Sequence, residues 1–292
     1  MSADDVVVAI PAAEDRDAIA GDLADLTVEA DGIRAVLAAD GGRIASIVAH
    51  GRELLARTPW ADEPADGWRM TSSNAEWHRR YPGGWHLLAP AAGDPSPEAA
   101  VEQPFHGEAA WRTWRLRRID AGTAVAEVRL RTAPLRIVRT LHVVAGTLSV
   151  TTRIVNEGSD EQRIVWVEHP ALDGALFDDA ELELDGSVLP VVAAPGSAFA
   201  DHAAADGALT LRSRSGGIDL RMLWDADLLP RLCLWQERRG STGFPWWGQV
   251  DAVGVEPASD AYGTATLGSG SVRIAAGAEQ ESRMLWEIRP RG

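Results

Sequence analysis

The sequence predicts an all-β chain folded as a large antiparallel β-sandwich. Short runs of alternating or β-branched residues recur along almost its whole length, and alternation is the period of a half-buried strand. Turn signals bound these runs, among them Asp31-Gly32, "ADGG" at 39–42 and "NEG" at 156–158. Hydrophobic residues make up 46% of the 292 residues, enough for a substantial core.

The runs "LTVEA", "IRAVLAA" and "RIASIVAH" open the series. "AVAEVRLRT", "LRIVRTLHVV", "LSVTTRIVNEG" and "RIVWVEH" occupy the middle, and "LTLRS", "IDLRMLW", "RLCLWQE", "SVRIAA" and "RMLWEIR" complete it. About a dozen such strands point to a sandwich or barrel. Helical periods are short and confined to 12–24 and around 97–102. Residues 57–104 are rich in Pro, Gly, Trp and charge, and predict long loops of the kind that border a binding site. No linker divides the chain, so residues 1–24 are expected to form an N-terminal extension and 25–292 a single domain.

Composition removes several function classes. A net charge of −15 opposes nucleic acid and anionic membranes as partners. All 28 basic residues are arginine, which excludes Schiff-base and Walker lysine chemistry. The single cysteine, Cys233, permits neither an internal disulfide nor a cysteine zinc cluster and reads as a small buried hydrophobe. No HxH or HExxH spacing suggests a metal, and no G-x-S-x-G marks a hydrolase nucleophile. The acidic N-terminus has only a five-residue apolar run, unlike a secretory signal, so a cytoplasmic protein is expected, monomeric or homodimeric. Twelve tryptophans offer flat faces for core filling or for stacking on sugar rings.

Three titratable side chains share a sequence setting. His106 lies in "PFHGEAAW" before a glycine, His169 in "IVWVEHPAL" before Pro170, and Glu256 in "VGVEPAS" before Pro257. A strand stopped by Gly or Pro would place each at one rim of the sandwich. A histidine or glutamate at a strand end is more often a structural hydrogen-bonder than a catalyst, and both readings stand at this point. His142 alternates like a cross-strand residue, while His50 and His202 read as surface loop positions.

The ordered set "RYPGGWHLLAPAAG", "PFHGEAAWRTW", "IVWVEHPALDG" and "GVEPASD" resembles the aldose 1-epimerase (galactose mutarotase-like) family over roughly residues 25–290. The resemblance implies the family's β-supersandwich with a sugar site on its concave face. It implies Glu256 as general base, His169 as general acid and His106 as a second active-site histidine. The family's Asn-Arg sugar-contact motif has no clear match, since "NAEWHRRYPGGW" stands in its place, and "HPALDG" replaces the usual continuation after the second histidine. These departures resemble a divergent branch.

Carboxylate and imidazole suit mutarotation, in which a base takes the anomeric proton and an acid protonates the ring oxygen. No cofactor or metal is required. Trp85 and Trp247, or its neighbour Trp246, are expected to stack on the sugar, with Gln236 as an amide contact and Arg80 at the site. Arg80, with Arg79, Arg112 or Arg115, would hold a phosphate if the substrate were a hexose phosphate. The alternatives are a non-catalytic carbohydrate-binding protein on the same fold and a hexose-phosphate 1-epimerase.

Overall fold

The computed structural model describes residues 22–291 except 65, 66, 98 and 100. The first sheet begins with β1 (Leu26–Ala30), β2 (Ile33–Leu37), β3 (Ile44–Ala49), β4 (Arg52–Glu53) and β5 (Trp85–Leu88). The chain then crosses into the second sheet as β6 (Arg115–Arg118), β7 (Thr123–Arg129), β8 (Leu135–Val144) and β9 (Thr147–Asn156). A short β10 (Gln162–Ile164) leads back to β11 (Val167–Asp173) in the first sheet. Next come β12 (Ala180–Leu184), β13 (Ser187–Leu189), β14 (Gly196–Ala203), β15 (Ala208–Ser213) and β16 (Ile218–Leu223). The series ends with β17 (Arg231–Arg238), β18 (Asp251–Ala258), β19 (Val272–Ile274) and β20 (Glu279–Pro290).

One nine-stranded sheet runs β1-β2-β3-β5-β11-β18-β17-β14, with β4 alongside β3. The other runs β13-β12-β15-β16-β20-β9-β8-β7-β6, and β10 pairs with β19 apart from both. Every strand pair is antiparallel, as hairpin-rich connections allow. The alternation in β8 sends Leu135, Ile137, Leu141 and Val143 into the core while Arg136, Thr140 and His142 turn outward. His142 meets Thr123 across the β7–β8 ladder, 2.9 Å from its hydroxyl. His202 lies in β14 rather than in a loop, opposite Leu232.

Between the sheets lies one large apolar core, in which Trp85 of β5 stacks on Trp286 of β20 at 4.9 Å. A second, smaller core covers the outer face of the first sheet and includes Trp77, Tyr81, Phe105, Cys233 and Trp246. Segment 57–104 builds much of that cover and is not all loop. It carries α1 (Ser73–Arg80), capped by the Ser72 hydroxyl, which accepts from Ala75 N at 3.1 Å. Glu76 in the first turn and His78, Arg79 and Arg80 in the last suit the helix dipole. The helix has too few apolar residues to show a helical period, and only Trp77 and Glu76 are buried.

No helix forms around 97–102 among the described residues, and the expected helix at 12–24 lies mostly outside them, as does most of the 1–24 extension. No helix among the described residues is long and apolar enough to cross a membrane.

Candidate active site

The registers His86↔His169 and Cys233↔Glu256 place these residues on common rows of the first sheet. The β11–β18 register, Val167↔Ala258 and Ala171↔Gly254, puts His169 directly opposite Glu256. His86, His169, Glu256 and Cys233 therefore stand side by side across β5, β11, β18 and β17, all on the outer face.

Neither proline ends its strand. Pro170 is the fourth residue of seven in β11 and Pro257 the seventh of eight in β18. A proline has no N–H for a ladder, and in the β11–β18 pair the paired positions stop at Val167↔Ala258 and resume at Ala171↔Gly254. The two prolines thus fall in the unpaired stretch that His169 and Glu256 share. His106 is in a turn rather than a strand, with φ +67, and Gly107 follows at φ +78. A Cβ on Gly107 would lie 2.5 Å from the Ala91 carbonyl oxygen, so only glycine lets the turn pass so close to that backbone.

His169 Nε2 and Glu256 Oε1 are 3.2 Å apart, and both side chains are buried. Desolvation pushes the Glu256 carboxyl up to about 8 and the His169 imidazole down to about 4. At neutral pH the contact therefore joins two neutral groups rather than an ion pair. Nδ1 of His169 has no hydrogen-bond partner.

Gly254 makes room for this acid: a Cβ there would sit 2.4 Å from Glu256 Oε1 and 3.2 Å from the Trp235 ring. His106 Nδ1 accepts from Gly93 N at 3.0 Å, which leaves Nε2 protonated. Its imidazole is also held well below its ordinary pKa by burial. The Tyr81 hydroxyl is buried without a hydrogen-bond partner, and burial followed by the Glu256 charge pushes its pKa up.

These groups line a cavity of about 330 Å³. Glu256, His169, His106, His78 and Asn74 are its polar residues, and Trp77, Tyr81, Phe105, Trp235 and Trp246 form most of the remaining wall. Phe199 and Tyr262, 48% and 47% exposed and in ring contact at 5.1 Å, also border it.

The other expected contacts lie elsewhere. Trp85 is fully buried between the sheets, donating to Glu168 at 2.7 Å, because its position in β5 faces the opposite side from His86. Gln236 is buried one residue past Trp235, so alternation turns it away from the cavity. Its amide bridges Val192 N at 2.8 Å and the Pro190 carbonyl at 3.2 Å. Arg80 ends α1, 3.8 Å from Glu76, and borders a different cleft. Trp247 is 60% exposed and does not line the cavity, whereas Trp246 does.

Trp77, His78, Tyr81 and Trp235 are lining residues that sequence reasoning missed. Trp235 carried a signal, since it alternates with Cys233 on the strand beside Glu256.

This topology has a close counterpart among solved structures. The chain has the galactose mutarotase-like fold. It is similar to a galactose mutarotase-like protein from Lactobacillus casei, with 17% identity, a TM-score of 0.64, and coverage of 91% of this chain and 100% of that one. A galactose mutarotase related enzyme from Lactobacillus acidophilus matches at 11% identity and TM-score 0.67, covering 91% and 97%. A galactose mutarotase-like protein from Clostridium acetobutylicum matches at 13% and 0.61, covering 91% and 95%. No protein-family model matches the sequence, and no curated protein does.

Proposed function

We propose that this chain is a sugar 1-epimerase that interconverts α and β anomers by acid–base ring opening, as one domain over residues 25–292. The observation that carries the reading is the buried His169–Glu256 contact at 3.2 Å on the wall of a cavity. Buried acid–base pairs with displaced pKa values are the usual mark of a proton-transfer site.

The reaction begins when the Glu256 proton passes to Nε2 of His169. The Glu256 carboxylate takes the proton of the anomeric hydroxyl while His169 gives its own to the ring oxygen. The C1–O5 bond breaks, C1 becomes the aldehyde carbon, and the pair returns to its neutral state. Rotation about C1–C2 presents the other face, and reversal of both transfers closes the ring as the second anomer. The sum of protons on the pair never changes from one ring-opened state to the next, so no cofactor enters the cycle. His106, with its Nε2–H fixed by Gly93, donates to a substrate oxygen.

The test is polarimetry on freshly dissolved sugars with wild type, Glu256→Gln and His169→Asn. Glutamine keeps the size of Glu256 but cannot accept the proton, so kcat should fall about 10²–10⁴-fold with the fold intact. Full activity in Glu256→Gln removes the assignment of the base. Binding without acceleration by wild type would favour the non-catalytic carbohydrate-binding alternative.

A further inference from the structure

The charge and polarity of the cavity wall carry a statement about the substrate. The chain has 28 arginines, yet none lines the cavity. Three of them, Arg43, Arg79 and Arg80, border a separate cleft of about 350 Å³ together with Asp40 and Glu63. Trp60 borders that cleft and stacks on Trp246 of the cavity at 6.4 Å.

The aromatic rings of Trp77, Tyr81, Phe105, Phe199, Trp235, Trp246 and Tyr262 outnumber the polar side chains that face the cavity, and some of the latter are already engaged. Asn74 Oδ1 accepts from His78 Nδ1 at 2.9 Å, and its Nδ2 donates to Asp94 at 2.6 Å. His106 keeps one donor, its Nε2–H. The Tyr81 hydroxyl and Nδ1 of His169 are buried without a partner. Around them the rings of Tyr81 and Trp235 come within 6.1 and 6.2 Å of the His169 ring. Aromatic faces match the C–H faces of a pyranose, but aromatic carbon offers nothing to a hydroxyl projecting from its edge.

We infer that the substrate is an uncharged deoxy sugar, one with fewer hydroxyls than a hexose and with neither phosphate nor carboxylate. The inference rests on the 1-epimerase reading for the chemistry at C1 but not for the polarity of the wall. A phosphate or uronate would bring its charge into a cavity beside the buried Glu256, with no arginine on its wall to pair with it and offset desolvation. A hydroxyl facing aromatic carbon is penalised less, because an apolar pocket rejects an added hydroxyl only by about 10²-fold at most.

Two measurements separate this inference from the proposed function. The first is anomer exchange, by polarimetry or NMR exchange spectroscopy, for D-fucose against D-galactose, D-quinovose and 2-deoxy-D-glucose against D-glucose, and L-rhamnose against L-mannose, with D-glucose 6-phosphate and D-galacturonate alongside. The second is binding of the same sugars to Glu256→Gln, read by tryptophan fluorescence. At least one deoxy sugar should exceed its parent by about 10- to 100-fold in kcat/KM and in affinity, and the two charged sugars should show neither exchange nor binding. Deoxy sugars that bind best without exchange would sink the 1-epimerase reading and leave the inference standing. Exchange that is fastest for a phosphorylated, acidic or fully hydroxylated sugar would overturn the inference and leave the enzyme. No binding of any neutral sugar overturns both.

Discussion

Glu168 and Glu256 are buried glutamates on adjacent strands of one sheet, facing opposite sides of it. Glu168 points between the sheets and is fully served. Arg139 donates to it at 2.7 Å, Trp85 at 2.7 Å, Thr152 at 2.9 Å and Trp166 at 3.4 Å. Glu256 points outward into the cavity and has the His169 imidazole as its side-chain partner, at 3.2 Å. One carboxylate is fixed by a cation and three neutral donors. The other is left poor in partners, and burial drives it towards the protonated acid. Burial alone therefore does not set the protonation state of a carboxyl; the supply of donors does.

The strongest way to break this contrast is to strip Glu168 of its cation. Arg139→Ala leaves an uncompensated carboxylate in the core, and a broken buried pair costs about 3–5 kcal/mol. Denaturant unfolding should show that loss, while Glu256→Gln, which removes an ill-served acid, should be neutral or stabilising. A loss below about 1 kcal/mol for Arg139→Ala would mean that the pair adds nothing beyond what apolar filling could supply.

Gly254→Ala should strike the outer glutamate without touching the inner one. The new methyl would lie 2.4 Å from Glu256 Oε1, and the Trp235 ring at 3.2 Å blocks an easy retreat. A misplacement of about 1 Å in a catalytic group costs about 10²-fold, so kcat should fall by that order with the circular dichroism spectrum unchanged. Unaltered turnover would show that the carboxylate finds another productive position.

The pH dependence of stability sharpens the same point. The folded state favours protonated Glu256, so its stabilising share is present below the ordinary carboxyl value of 4.5 and is lost as pH rises through about 8. His169 has the opposite sign: the folded state favours the neutral ring, so stability rises between about 4 and 6.5. The two slopes oppose each other up to pH 6.5, and above it Glu256 acts alone. Burial also holds His78, His86 and His106 below their ordinary values, the same sign as His169. An interval of about 1.5 pH units at about 1.4 kcal/mol each gives a loss of about 2 kcal/mol from pH 6.5 to 8. Wild type should show it in urea midpoints and Glu256→Gln should not; equal slopes for the two proteins would contradict a raised Glu256.

The strands were legible because alternation and turn residues are local. His106, His169 and Glu256 stood out because each precedes a Gly or Pro, although the reason assumed for this was incomplete. The prolines do not stop β11 and β18 but lie in the unpaired stretch between them, which depends on a register that no single strand reveals. The aromatic wall was harder to read. Trp85 and Trp246 are both tryptophans close to glycine or proline, yet one fills the core and the other lines the cavity. Strand parity decides the first: Trp85 and His86 are successive residues of β5 and face opposite sides of the sheet. Helix α1 was hidden because eight residues with two buried side chains leave no period to detect.

The mildest perturbation compares two neighbouring indoles. Trp246 is 7% exposed, lines the cavity, stacks on Trp60 and meets the His78 ring edge-on at 5.4 Å. Trp247 is 60% exposed and sits at φ +52, a left-handed conformation that a large side chain adopts at some cost. Trp246→Phe keeps an aromatic wall but shrinks it, so KM should rise several-fold with kcat little changed, as expected for a contact made equally in ground and transition states. Trp247→Ala should leave KM unchanged and alter stability by no more than about 0.5 kcal/mol, the range of surface substitutions. Trp247→Gly would go slightly further in the favourable direction, because glycine accepts positive φ without a Cβ clash. Steady-state polarimetry and thermal melts on the three variants check this directly. A KM effect from Trp247→Ala as large as that from Trp246→Phe would mean that the substrate reaches past the cavity wall onto the exposed loop.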